Sequence, residues 1–218
     1  MHPFLKAYHN PATAYEILEQ LAQEYQAIPS TELASLVTAF VEDYARAEAY
    51  LLLQIIQEQG SKTEAELLFK ACVVNHRLKE KVSAQLLETF GKLKYEPAFK
   101  MLYHYALEAL EPKDYYTNLY AVFGLIAYQP KGLEQDIKKA IATTFGQTFF
   151  CEYLPALALL LPPNDAIAQP IYESLIDHCA VDCSAGYLMA LEHLEQYKPE
   201  KENLYIKVKT FFTLNSNA

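Results

Sequence analysis

Residues 83–107, SAQLLETFGKLKYEPAFKMLYHYAL, decide how the rest of the chain is read. Leu86, Phe90 and Leu93 join Val82 in an apolar stripe at helical spacing, and the stripe stops near Gly91. A glycine just past a helix can take the left-handed conformation that ends it. Pro97 then suits the first turn of a second helix, where a missing N–H breaks no hydrogen bond. In that helix, expected over Glu96 to Glu111, Ala98, Leu102, Tyr105, Ala106 and Ala109 share one face. Lys100, His104, Glu108 and Glu111 share the other, with His104 one turn from Glu108 and paired to it. Two helices joined by so short a turn should pack antiparallel.

The same punctuation recurs at Phe123-Gly124 with Pro130, and at Phe145-Gly146 with Pro155. Phe90 and Phe123 are 33 residues apart, within the period of helical-hairpin repeats, whereas Phe145 follows only 22 residues later. Elsewhere the helical period also dominates. Asn10 is placed to cap a helix opening at Pro11 and carrying Ala14, Leu18, Leu21, Tyr25 and Ile28. A long segment from Pro29 to Gly60 is amphipathic at first and apolar nearly all round from Tyr50 to Ile56, with a break at Glu42-Asp43. Ser61 and Glu64 have the spacing of a capping box. Further helices are expected over 115–128, 132–148, 152–161, 166–180, 184–197 and 201–214, and only Tyr205 to Phe212 could be argued as a strand.

Residues 83–107 and 139–160 (KAIATTFGQTFFCEYLPALALL) resemble HEAT-like repeats. Each has a first helix rich in small residues that ends on Phe-Gly, a short turn, then Pro-Ala opening a leucine-rich second helix. The resemblance extends over about residues 83–161. It implies an all-α protein, an α-α superhelix of HEAT-like helical-hairpin repeats forming a single domain over residues 1–218, and a scaffold or adaptor role. Fold likeness by itself names no partner.

Composition fits that architecture. Of the 218 residues 52% are hydrophobic and 21% charged, which suits an ordered chain with a substantial core. Eleven prolines against six glycines go with helices punctuated at their ends. The longest apolar runs, Leu119 to Tyr128 and Leu154 to Leu161, fall well short of the roughly 18 residues that spanning a bilayer needs. Met1-His2-Pro3-Phe4-Leu5-Lys6 has no basic stretch leading into a long apolar one, so no secretory signal is expected. Cys72, Cys151, Cys179 and Cys183 read as reduced thiols of a cytoplasmic protein.

Several chemistries lack their obligatory residues. No glycine spacing allows a phosphate loop or a dinucleotide fingerprint, and no serine sits in a nucleophile elbow. No histidine follows a glutamate at the spacing of a di-iron bundle. Asp177, His178 and Cys179 with Asp182 and Cys183 are the nearest approach to a metal set. Two thiolates do not close a tetrahedral zinc site, so the cysteines read as small buried hydrophobes. Glu42 and Asp43 are the first carboxylates that an enzymatic cavity would recruit.

The net charge of −9 is unevenly placed. Residues 1–69 hold three basic and ten acidic side chains, 70–100 hold seven and three, and 101–218 hold eight and fourteen. A positive waist thus separates two negative ends. Next to it Tyr103, Tyr115 and Tyr116 carry the apolar body and polar tip common at recognition surfaces. The expected function is a non-catalytic protein–protein interaction module that holds a protein or peptide, acidic in character, in a groove near residues 77–120. Its candidate binding residues are Arg77, Lys79, Lys81, Lys92, Lys94 and Lys100 with Tyr103, Tyr115 and Tyr116. No catalytic residue, metal or cofactor is assigned. The alternatives are a lyase or DNA glycosylase on a HEAT-like scaffold, or an acidic immunity- or inhibitor-type protein. Nucleic acid is disfavoured by the charge, by only two arginines and by the lack of tryptophan.

Overall fold

The computed structural model describes residues 3–24, 28–110, 114–144, 153–162, 165–168, 170 and 171. The chain divides into two compact units, Met1–Leu102 and Tyr103–Ala218. In order the elements are α1 (Pro3–Tyr8), α2 (Tyr15–Gln23), α3 (Ser30–Glu42), α4 (Ala49–Gln59), α5 (Lys62–Cys72), β1 (Val73–Val74), β2 (Arg77–Leu78), α6 (Gln85–Lys92), a 3₁₀ turn (Glu96–Ala98) and α7 (Phe99–Tyr103). A π-helical turn (His104–Glu108), α8 (Tyr115–Tyr128), α9 (Glu134–Thr144) and α10 (Tyr153–Ala158) follow. The all-α expectation holds for the described residues apart from one short hairpin. No helix among them is long and apolar enough to cross a membrane.

In the first unit the core centres on α4. Leu51, Leu52, Leu53, Ile55 and Ile56 are all buried, as the nearly all-round apolar run requires. Each such side chain contributes about 1.5–3 kcal/mol of burial free energy. Helix α4 packs on α2, α3 and α6, and α3 also packs on α5. Each of these contacts joins a helix to the next or the next but one. The long run does break where the acidic pair stands: α3 closes at Glu42 and Asp43 leaves helical geometry at φ −147°.

Local chemistry fixes the next junction. Ser61 caps α5 by accepting from the Thr63 N–H (3.1 Å), while the Glu64 carboxylate accepts from the Ser61 N–H (2.8 Å) and hydroxyl (2.7 Å). Gly60 just before it is required for space. Its N–H donates to the Ile56 carbonyl at 2.8 Å, and a Cβ would lie 2.5 Å from that same oxygen. Backbone atoms cannot swing aside. Gly60→Ala should therefore cost more than about 1 kcal/mol, seen as a lower urea midpoint with an unchanged slope.

Four expectations are corrected. Gly124 lies buried inside α8, which continues to Tyr128 and ends with Gln129 in the left-handed region at φ 58°. Gly91 likewise lies within the last turn of α6, and Lys94 takes the left-handed role at φ 52°. Asn10 does not start a helix at Pro11: its side chain accepts from the Ala12 N–H (3.1 Å) in a turn, and α2 begins at Tyr15. The helix expected over Glu96 to Glu111 is a succession of 3₁₀, α and π turns. The third Phe-Gly pair, the helices over 184–197 and 201–214, most of that over 166–180, and the Tyr205 to Phe212 stretch lie outside the described residues.

In the second unit α8 and α9 both pack on the π turn, and α10 packs on α8 and α9. The shifted π register sends the Ala109 N–H to the His104 carbonyl at 2.9 Å, leaving neighbouring carbonyls to be met by side chains. The fully buried Asn118 of α8 donates through Nδ2 to the carbonyls of Tyr105 and Ala109, each at 2.7 Å. From α10 the buried Tyr153 hydroxyl donates to the Ala106 carbonyl.

Candidate functional site

Three exposed cations are built on the hairpin that follows α5 and the turn after it. Val73 pairs with Leu78 and Val74 with Arg77 in antiparallel register. Asn75 and His76 join the strands with φ of 51° and 57°, the double left-handed conformation of a type I′ turn. Asparagine enters that region readily because its short polar side chain bonds locally. The Lys79 N–H returns to the Cys72 carbonyl (2.9 Å), the Val82 N–H bonds the Lys79 carbonyl (3.2 Å), and Lys81 is left-handed at φ 67°. Two reversals within ten residues thus hold Arg77, Lys79 and Lys81 in solvent. None of the three forms an ion pair with another described residue. Val74, directly across from Arg77, is 53% exposed.

Beneath the turn Cys72 is buried. Burial pushes its thiol up to about 11, against a smaller opposing pull from the Lys79 charge. The thiolate is scarce at neutral pH, so Cys72 packs as a small apolar side chain.

The other expected binding residues divide. Lys92 reaches Glu88 (3.0 Å) and Gln57 Oε1 (3.0 Å), and Gln57 Nε2 donates to the buried Thr89 hydroxyl (2.9 Å). That network ties α6 to α4, so Lys92 has a structural task. Lys94 occupies the left-handed position after α6, and Lys100 is exposed on α7. All six cations belong to the first unit, whereas Tyr103, Tyr115 and Tyr116 belong to the second. Tyr103 is half-buried, and burial and a hydrogen bond to Asp136 of α9 raise its hydroxyl. Tyr115 is half-buried and meets Tyr116 edge-on at 5.3 Å, and Tyr116 is 69% exposed.

Glu42 and Asp43 are both exposed, which removes them as buried general acids. His104 pairs with Glu108 at 2.9 Å on the surface, as their spacing predicts. No group of three or more metal-ligating side chains occurs among the described residues. Cys151 and the set from Asp177 to Cys183 lie outside them. The hairpin itself is absent from the sequence expectations, although Val73-Val74-Asn75-His76-Arg77-Leu78 carries its signal: β-branched residues leading into an asparagine two-residue turn. In comparisons with family models, curated proteins and solved structures, no match to this chain was found.

Proposed function

We propose that the chain is a non-catalytic protein-binding module that receives an acidic segment of a partner protein on the turn carrying Arg77, Lys79 and Lys81. The supporting observation is that three exposed cations, none in an ion pair with another described residue, sit on a backbone held by paired hydrogen bonds. A pre-formed turn loses little conformational freedom on binding, and unpaired cations gain most from carboxylates brought to them. Exposed Val74 offers an apolar contact beside them. In the first unit α1 packs on α2 and α3 on α4, while α2–α4, α3–α5 and α4–α6 pack as next neighbours, and this supports the reading of stacked helical hairpins in a HEAT-like α-α superhelix. The composition supports a cytoplasmic setting for such a scaffold.

The test is a full chain carrying Arg77→Glu, Lys79→Glu and Lys81→Glu, leaving Lys92 and Lys94 in their structural roles. Capture from a lysate of the organism that makes the protein should lose an acidic partner, while the thermal melt by circular dichroism is unchanged. Equal capture by both chains removes the turn as the binding site. Loss of bound nucleic acid instead of protein would favour a phosphate-binding role and overturn the proposal.

A further inference from the structure

The first unit has a second surface of opposite character. A groove of about 420 Å³ runs between α1 and α3, with Leu5 and His9 on one wall and Glu32, Ser35, Thr38, Ala39 and Glu42 on the other. The α3 residues fall at one-face spacing, so they form a single lengthwise stripe. Leu5 and Ala39 are buried and give an apolar floor. The Ser35 hydroxyl donates to the Thr31 carbonyl (3.4 Å) and the Thr38 hydroxyl to the Ala34 carbonyl (3.0 Å). Both hydroxyl protons are thereby used, which leaves oxygen lone pairs facing outward as acceptors. Glu32 and Glu42 stand at opposite ends, ten residues apart, which is about 15 Å along a helix. Neither carboxylate forms an ion pair with another described residue.

We infer that this groove binds a linear polyamine, with a terminal ammonium at each glutamate, the methylene chain over Leu5 and Ala39, and an inner amine at the Ser35 and Thr38 oxygens. The α3 wall offers acceptors at Glu32, Ser35, Thr38 and Glu42 to the amine donors of such a molecule, and the buried Leu5 and Ala39 offer apolar contact to its methylenes. The volume falls within the range of small-molecule sites. The surrounding sequence is acidic as well: besides Glu32 and Glu42, residues 1–69 hold eight acidic side chains against three basic ones. The inference uses none of the hairpin residues.

Calorimetric titration of the full chain with spermine tests it. The expected result is one site, weakened about threefold to fivefold by Glu32→Gln and by Glu42→Gln singly, and about tenfold to twenty-fivefold in the double variant. Putrescine, too short to reach both carboxylates, should bind more weakly and lose affinity in only one of the single variants. Thermal melts of the variants keep loss of binding distinct from loss of fold. Absence of spermine binding overturns the inference, as does binding unchanged in the double variant. A tetralysine peptide that binds more tightly than spermine would also overturn it, by making the groove a peptide site.

Discussion

Asn118→Ala should destabilise the second unit by about 2–4 kcal/mol, the largest effect expected of any single side chain discussed. The π turn moves the Ala109 N–H onto His104, so the carbonyls of Tyr105 and Ala109 depend on Asn118 Nδ2. Truncation removes both bonds together and leaves two part-buried acceptors without that donor. A buried polar group stripped of its partner costs more than the hydrogen bond itself contributes. Asn118→Leu, close in size, separates lost packing from lost polar pairing. It should recover little, because volume is not what the carbonyls lack. Hydrogen exchange of the α8 and π-turn amides reads the change directly. Unaltered protection in both variants would mean that the shifted register stands without its side-chain donor.

Arg46→Ala should cost the first unit about 2–3 kcal/mol. The guanidinium lies 4.3 Å from the centre of the Tyr8 ring, donates to the Tyr8 carbonyl (2.6 Å) and pairs with Glu48 (2.8 Å). It therefore fastens α1 to the turn between α3 and α4. Arg46→Lys should restore only part of the loss, since an ammonium cannot serve ring, carbonyl and carboxylate at once. The effect also depends on pH. The hydrogen bond from Arg46 holds the Glu48 carboxyl below the usual glutamate range. A depressed carboxylate stabilises the fold above its unfolded pKa, and that contribution is lost as pH falls through the folded value. The gap between the natural chain and Arg46→Ala in urea denaturation should thus narrow on acidification. A gap independent of pH would leave the Tyr8 contacts, not the ion pair, as the cause.

What could be read in advance was local. Ser61 and Glu64 are three residues apart and their capping bonds need nothing distant. Leu51 to Ile56 is apolar nearly all round, with only Gln54 polar, so any fold had to bury most of it. The His104–Glu108 pair needs only one turn of helix. The misreadings share a cause. Gly124 looks like a stop signal, yet its position is buried within α8, and tertiary packing outweighs a helix-interior penalty of about 1 kcal/mol. Phe4, Leu5 and Tyr8 form a stripe too short to stand out, and α1 exists because those three side chains are buried. The π turn depends on Asn118 and Tyr153, which lie 10 or more residues away. At the candidate site the cations were legible as residues, but their division was not. Only the geometry separates Arg77, Lys79 and Lys81 on their turn from Lys92 in its network with Gln57.

Lysine acetylation footprinting of the full chain, with and without its captured partner, bears most directly on the recognition role assigned to the hairpin turn. Lys79 and Lys81 should lose reactivity when the partner is present, while Lys62, paired with Glu96, and Lys70, paired with Glu66, keep theirs. Unchanged labelling of Lys79 and Lys81 in the complex would contradict the assignment.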